Sequence, residues 1–135
     1  MADTPVPPTV WPCINYVDAP AAIDFLVGLG FRCTFTVPGE TGDVIQHSEL
    51  IWPEGGGVMV GTSNRSGSEF SKLGTGTACI YVATEDPRAV YQRAVASGVT
   101  LIRELAETDY GSTEFSFADA EGNLWSFGTY TGQPG

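Results

Sequence analysis

Apolar and polar residues alternate along several short stretches in the first half of the chain. The alternation predicts strands at 11–17, 31–37, 44–52 and 58–62. Between the first two, apolar residues recur at helical spacing and predict a helix over 19–29. Asp18 is a good N-cap, Pro20 lies in the first turn, and the predicted buried stripe is Ala22, Ile23, Phe25, Leu26 and Leu29.

The second half repeats the same order of elements. The pattern predicts strands at 77–83, 100–104, 112–118 and 124–130. A helix is expected from Asp86-Pro87 to about residue 97, with Val90, Ala94 and Val95 on its buried face. We expect a loop at 105–111 and a tight turn at 119–123.

An internal repeat links the two halves. Cys13 parallels Cys79, Asp18 parallels Asp86, and Gly61-Thr62 parallels Gly128-Thr129, at offsets of 66 to 68 residues. The chain is therefore predicted to be α+β, with two tandem βαβββ modules. The expected boundaries are an extended arm at 1–9, modules at 10–63 and 77–130, a linker at 64–76 and a flexible tail at 131–135.

Composition and charge narrow the function classes. The 135 residues include six Lys+Arg against sixteen Asp+Glu, for a net charge of −10, so nucleic acid is a poor partner and a cationic ligand a better one. No apolar run reaches the ~18–20 residues of a membrane span, and residues 1–5 lack the basic and apolar regions of a secretion signal, so we expect none. We expect a cytoplasmic protein without membrane contact, whose three cysteines are reduced and largely buried.

Alternation along the predicted strands brings polar side chains to one face of each sheet. His47 and Glu49 project together, either as a polar pair of the sheet, as a ligand-binding pair, or as a weak candidate for proton transfer or metal binding. Glu114 and Ser116 project opposite the apolar face and join Ser126. The full set of expected ligand-binding residues is Trp11, Cys13, Asn15, His47, Glu49, Met59, Tyr81, Tyr110, Glu114, Ser116 and Ser126.

The duplication, the segments 16–26 and 108–112, and above all the segment 119–130 resemble the vicinal oxygen chelate superfamily. Asp119-Ala120-Glu121-Gly122 is similar to the Asp-Pro-Glu-Gly turn of that group, with Ala120 in the Pro position. The resemblance, nearest to bacterial glyoxalase-like proteins of unassigned substrate, implies curved mixed sheets with helices on their convex faces. It also implies a ligand cavity on the concave side and a homodimer.

The resemblance further implies where metal-dependent members hold their ion, on the first and fourth strand of each module. Those positions here are Trp11, Met59, Thr77 and Ser126, none a usual ligand of a divalent first-row metal. We therefore expect no cofactor and a metal-independent small-molecule binding protein of the bleomycin-resistance type, which sequesters a cationic or planar aromatic compound. The alternative is a glyoxalase-like lyase, isomerase or dioxygenase that uses His47 and Glu49 or an atypical divalent metal site.

Overall fold

The computed structural model describes residues 6–134. The chain divides into two compact units, Met1–Thr75 and Gly76–Gly135, and each contains one α-helix and one four-stranded mixed sheet. The α+β class and the two repeated modules are confirmed. Of the predicted arm at 1–9 and tail at 131–135, residues 1–5 and 135 lie outside the described residues.

The first unit contains β1 (Cys13–Tyr16), α1 (Ala19–Leu29), β2 (Arg32–Pro38), β3 (Ile45–Ile51) and β4 (Gly57–Thr62). Its strand order is β1-β4-β3-β2, with β1 parallel to β4 and the other neighbours antiparallel. The chain therefore crosses over through α1 and returns to the sheet as an antiparallel meander.

The second unit contains β5 (Cys79–Ala83), α2 (Pro87–Ala96), β6 (Thr100–Glu107), β7 (Thr113–Ala118) and β8 (Leu124–Gly128). Its strand order, β5-β8-β7-β6, is the same topology as in the first unit, again with only the first pair parallel.

Both helices begin as the sequence predicts. The carboxylate of Asp18 accepts a hydrogen bond from the Ala21 amide at 3.2 Å, and that of Asp86 accepts one from the Ala89 amide at 3.1 Å. A proline follows within the first turn in each case, where its missing N–H costs nothing. Gly30 ends α1 at a φ of 131°, a conformation that favours glycine.

One face of each sheet is buried against its helix. In the first unit that face carries Ile14, Tyr16, Ser48, Leu50, Val58 and Val60, all nearly inaccessible. In the second it carries Phe115, Phe117, Trp125 and Phe127, whose rings stack at centroid distances of 5.7 to 6.3 Å. These aromatic side chains make the core of the smaller unit, so the opposite face of each sheet is left for polar residues.

Several local predictions are wrong. The first strand begins at Cys13 and not at 11, the fifth begins at Cys79 and not at 77, and the last ends at Gly128 and not at 130. The loop expected from residue 105 is strand up to Glu107, since Ala106 and Glu107 pair with Glu114 and Thr113 beyond a register shift. Val95, predicted to be on the buried face of α2, is 46% exposed; the buried residues of α2 are Pro87, Val90 and Ala94.

The segment 64–76, expected to be a linker from its composition, contains a 3-10 helix at Phe70–Lys72. Ser71 is fully buried there, and its hydroxyl donates to the carbonyls of Ser68 and Arg65 at 2.9 and 3.3 Å. The Asn64 amide donates to the Ser71 carbonyl at 2.8 Å. Small polar residues therefore build a hydrogen-bonded loop at the end of the first unit.

Candidate functional site

The face of the first sheet that α1 does not cover carries most of the residues predicted for this unit. Cys13 lies opposite Met59, and Met59 lies opposite Glu49. Asn15 and His47 follow on the same face by strand alternation, since Ile14 and Ser48 between them are buried. The structure thus brings five predicted residues onto one face, here called the first open face.

His47 and Glu49 form a direct pair on the first open face. The imidazole Nε2 lies 2.7 Å from the Glu49 Oε2, and both side chains are about one third exposed. The Phe35 ring packs edge-on against the imidazole at 6.0 Å. A carboxylate fixes the orientation and tautomer of an imidazole, so the pair can hold a ligand proton or transfer one.

Trp11, also predicted for this face, reaches it from outside the strand. Its indole N–H donates to the Pro8 carbonyl at 3.2 Å, and its ring lies over Gly57. A Cβ added to Gly57 would come within 2.7 Å of that ring, so the glycine makes room for the indole. Trp11 therefore covers the start of β4 and adds aromatic surface beside Met59.

Arg65 belongs to the first open face and was missed by the sequence analysis. Its guanidinium lies against Gly61, where an added Cβ would be 2.6 Å from Nη1. Nη1 donates to the Thr62 carbonyl at 2.9 Å and to the Asn15 side-chain oxygen at 3.4 Å. Arg65 follows β4 in a segment of loop composition, so strand alternation does not indicate where its side chain goes.

The uncovered face of the second sheet, here called the second open face, carries the other predicted residues. Tyr81 lies opposite Ser126, and Ser126 lies opposite Ser116. The two serine hydroxyls are 2.8 Å apart. Ser126 and Ser116 therefore offer a hydroxyl pair at the middle of this face.

A cluster of three tyrosines surrounds Glu114 at the end of the second open face. The Tyr110 hydroxyl donates to one carboxylate oxygen at 2.6 Å, and the Tyr81 hydroxyl lies 3.2 Å from the other. Tyr81 also donates to the Tyr130 carbonyl at 2.9 Å, and the Tyr110 and Tyr130 rings meet edge to face at 5.6 Å. Tyr130 was not predicted as a site residue. It follows β8, and its contacts with Tyr81 and Tyr110 depend on the tertiary fold.

The cluster shifts the acidity of its phenols. The pKa of Tyr110 is raised above 10.0, mainly by its hydrogen bond to Glu114. The pKa of Tyr81 is raised mainly by burial, and the negative charge of Glu114 raises it further. Both phenols therefore stay protonated near neutral pH and act as hydrogen-bond donors to the carboxylate.

An open groove of about 530 Å³ adjoins this cluster. Its surface is mainly apolar, and four of its eight lining residues carry a carboxyl group; the lining consists of Arg103, Glu104, Ala106, Glu107, Thr108, Asp109, Tyr110 and Glu114. One guanidinium faces four carboxyl groups, so the groove is negative and suits a cation.

The four positions at which the resemblance implies metal ligands are Trp11, Met59, Thr77 and Ser126. Met59 and Ser126 lie on strands as expected, but Trp11 and Thr77 precede β1 and β5, so their assignment to the first strands is wrong. The direct neighbours of Met59 and Ser126 on the first strands are Cys13 and Tyr81. Within residues 6–134, no group of three or more His, Cys, Asp or Glu side chains is placed to hold a metal ion.

The cysteines are free but not largely buried as expected. Cys13 and Cys79 are exposed and Cys33 is partly exposed. Cys13 alternates with the buried Ile14 and therefore lies on the first open face.

Comparison with known proteins places this fold in a family. Residues 9–127 match the family model of the Glyoxalase/Bleomycin resistance protein/Dioxygenase superfamily. The chain belongs to this superfamily. None of the curated proteins compared with it matches significantly.

Several solved structures resemble the chain over most of its length. TioX from Micromonospora sp. ML1 is 26% identical, with a TM-score of 0.74, over 90% of this chain and 99% of TioX. A superfamily member from Sphaerobacter thermophilus DSM 20745 is 21% identical, with a TM-score of 0.63, over 89% and 96% of the two chains. A glyoxalase family protein from Bacillus cereus is 16% identical, with a TM-score of 0.65, over 95% and 97%. The last two support the fold alone, and the superfamily serves several unrelated functions.

No helix among the described residues is long and apolar enough to cross a membrane.

Proposed function

We propose that this superfamily member is a metal-independent binding protein that sequesters a cationic or planar aromatic compound, as a bleomycin-resistance protein does. The observation that carries the proposal is the Glu114 cluster. Its carboxylate is held by two phenols and, among the described residues, forms no ion pair, so its charge is available to a ligand.

The chemistry of the cluster favours a cation with a flat apolar body. Tyrosine rings attract cations through their π-faces and offer surface for stacking. The carboxyl groups of the adjoining groove add to the negative potential. Tyr81, Tyr110, Ser116 and Ser126 supply hydroxyls for orientation, while Glu114 supplies the charge.

Matched probes test this proposal. We expect a cationic acridinium dye to bind more tightly than neutral acridone, measured by calorimetry and thermal shift. At 100 times its Kd the dye should stabilise the protein by about 2.7 kcal/mol. Glu114→Gln should weaken dye binding about tenfold and leave acridone binding unchanged, whereas the exposed Glu40→Gln should change neither. Equal affinity of the dye for wild type and Glu114→Gln would contradict the proposal.

Metal independence is tested on the same protein. We expect purified protein to hold no stoichiometric divalent metal and to gain no thermal stability from Zn²⁺, Ni²⁺, Fe²⁺ or Mn²⁺. The side chains at Trp11, Met59, Thr77 and Ser126 support this, because none is a usual donor for these ions. One tightly bound equivalent that is lost in His47→Ala would overturn it.

The second candidate is an enzyme, and the direct His47–Glu49 pair at 2.7 Å favours it. A glyoxalase-like lyase, isomerase or dioxygenase would use this pair for proton transfer. The two functions differ in the fate of the bound compound. Sequestration predicts that a compound released after incubation has an unchanged proton NMR spectrum. A changed spectrum that requires His47 would establish catalysis. The homodimer and the cytoplasmic location predicted from the sequence belong to the same proposal.

A further inference from the structure

Arg65 is a partly buried arginine of the first unit that no carboxylate of the described residues neutralises. The chain has sixteen Asp+Glu against six Lys+Arg, yet Arg65 forms no ion pair with any described residue. Two carboxylates of this unit have other ion-pair partners: Glu49 pairs with His47 at 2.7 Å and Glu69 with Lys72 at 3.2 Å.

The guanidinium keeps much of its donor capacity. Its two hydrogen bonds both come from Nη1, and Nη2 makes none. Nε is buried and has no hydrogen-bond partner in the described part of the chain. An unsatisfied buried donor costs about 1–3 kcal/mol, so the structure retains an unfavourable feature at this arginine.

The guanidinium is also fixed in place. It lies against Gly61 and Nη1 donates to the Thr62 carbonyl at 2.9 Å, while the Ser71 hydroxyl holds the Arg65 main-chain carbonyl at 3.3 Å. Asn15, which accepts from Nη1, uses its own amide nitrogen to donate to the Phe70 carbonyl at 3.0 Å. A charged fork held this way loses little entropy when it binds a planar anion.

An exposed aromatic residue, Phe70, is linked to this charge through Asn15. Phe70, whose carbonyl is bonded to Asn15, is 76% exposed. His47, two residues before Glu49 on β3, lies on the same face by alternation, and Phe35 packs on its imidazole at 6.0 Å. A cation on a face that also carries aromatic rings matches an aromatic molecule that bears a negative group.

We propose that Arg65, with Asn15, is a binding site for the carboxylate of a planar aromatic acid on the first open face. The guanidinium binds the carboxylate through Nη2, while Phe70 contacts the ring. This site is separate in chemistry from the Glu114 cluster and does not depend on the proposed cation binding.

NMR titration with 2-naphthoate and its neutral analogue 2-naphthamide tests the proposal. We expect naphthoate to shift the Arg65 Nε–Hε signal and the Asn15 side-chain amide signals, and to bind at least tenfold more tightly than naphthamide. Arg65→Met should remove this preference and Arg65→Lys should keep part of it, since lysine retains the charge but not the fork. Arg32→Met, at an exposed arginine of the same unit, should leave it unchanged.

The wild-type signals keep the test decisive even if Arg65→Met fails to fold. Absence of shifts at Arg65 and Asn15, or equal affinity for acid and amide, would overturn the site. Naphthoate shifts confined to Tyr81, Tyr110 and Glu114 would overturn it as well. Binding of the acridinium dye at Glu114 is read from different signals, so failure of either proposal is seen separately.

Discussion

Glu114 is the residue on which the second open face depends. Alternation along 112–118 was enough to predict that it projects away from Phe115 and Phe117. The sequence did not indicate that two phenols bind its carboxylate, because Tyr81 and Tyr110 come from β5 and from the loop before β7. Only the strand order brings those side chains to one point.

The shared carboxylate predicts a pH effect on the tyrosines. In Glu114→Gln we expect the pKa of Tyr110 to fall toward 10.0, because the hydrogen bond to Glu114 is its main cause of elevation. The pKa of Tyr81 should fall less, since burial is the larger cause there. Titration of the tyrosine ¹³Cζ signals measures both. An unchanged Tyr110 pKa would contradict this assignment.

The raised pKa values of Tyr81 and Tyr110 determine how the free energy of unfolding changes with pH. In the wild type, folding favours protonated phenols, so the stabilisation is complete below pH 10 and is lost as the pH rises through the folded pKa values. We expect the free energy of unfolding to decrease above about pH 10 more steeply in the wild type than in Glu114→Gln. Chemical denaturation at several pH values measures it.

Asp119 is the residue that fixes the turn before β8. Its Oδ1 accepts from the amides of Glu121 and Asn123, both at 3.0 Å, and its Oδ2 accepts from the buried Trp125 indole at 3.1 Å. We expect Asp119→Ala to lower the free energy of unfolding by about 2–4 kcal/mol, because these donors lose a charged acceptor. Denaturant unfolding tests this, with the exposed Asp24→Ala expected to change stability by less than about 0.5 kcal/mol. A similar loss in both variants would argue against the role of the turn.

At the scale of elements, the repeated Gly-Thr pair now has a physical explanation. Thr62 Oγ1 accepts from the Ile45 amide at 2.8 Å, and Thr129 Oγ1 accepts from the Thr113 amide at 3.1 Å. The threonine thus satisfies the first amide of the neighbouring strand in both units. The sequence displayed the repeat, but its cause required the register of the strands.

We expect Thr62→Val to destabilise the first unit by about 1 kcal/mol or more, because the buried Ile45 amide loses its acceptor. Thr129→Val should have a similar effect on the second unit through Thr113. Thr9→Val, outside any helix or strand, serves as the control. Hydrogen exchange at Ile45 and Thr113 localises the change, and undiminished protection there would contradict it.

The glycine of each pair lets a side chain cross the end of the last strand. Arg65 lies over Gly61, and Tyr81 and Glu114 lie over Gly128. An alanine at Gly128 would place its Cβ 2.8 Å from the Tyr81 hydroxyl and in collision with Glu114. Both open-face clusters therefore depend on a missing side chain.

Alanine substitutions test this dependence. We expect Gly61→Ala and Gly128→Ala to displace these side chains and to cost about 1–3 kcal/mol each, through overpacking rather than backbone strain. Gly28→Ala, in α1 with open space around it, should instead stabilise by about 0.5–1 kcal/mol. Thermal unfolding and NMR shifts at Arg65 or Tyr110 measure the two effects. Unshifted signals in the Gly61 and Gly128 variants would contradict the proposed packing.

For the whole molecule, the resemblance to the superfamily predicts a homodimer. Light scattering during size-exclusion chromatography should give a mass about twice the 14.3 kDa of one chain. Moderate salt should be used, because a net charge of −10 makes copies repel at low ionic strength. A mass of one chain at micromolar concentration would contradict the prediction.

Hydrophobic periodicity, caps and turn residues, together with the internal repeat, determined the two βαβββ modules and the face on which most side chains lie. These features are local, so neighbouring residues are enough to specify them. The partners of Glu114, the position of Arg65 over Gly61 and the ordered segment 64–76 were decided only by the tertiary structure. Each of them depends on groups brought together by strand order and register, which spacing along the chain does not encode.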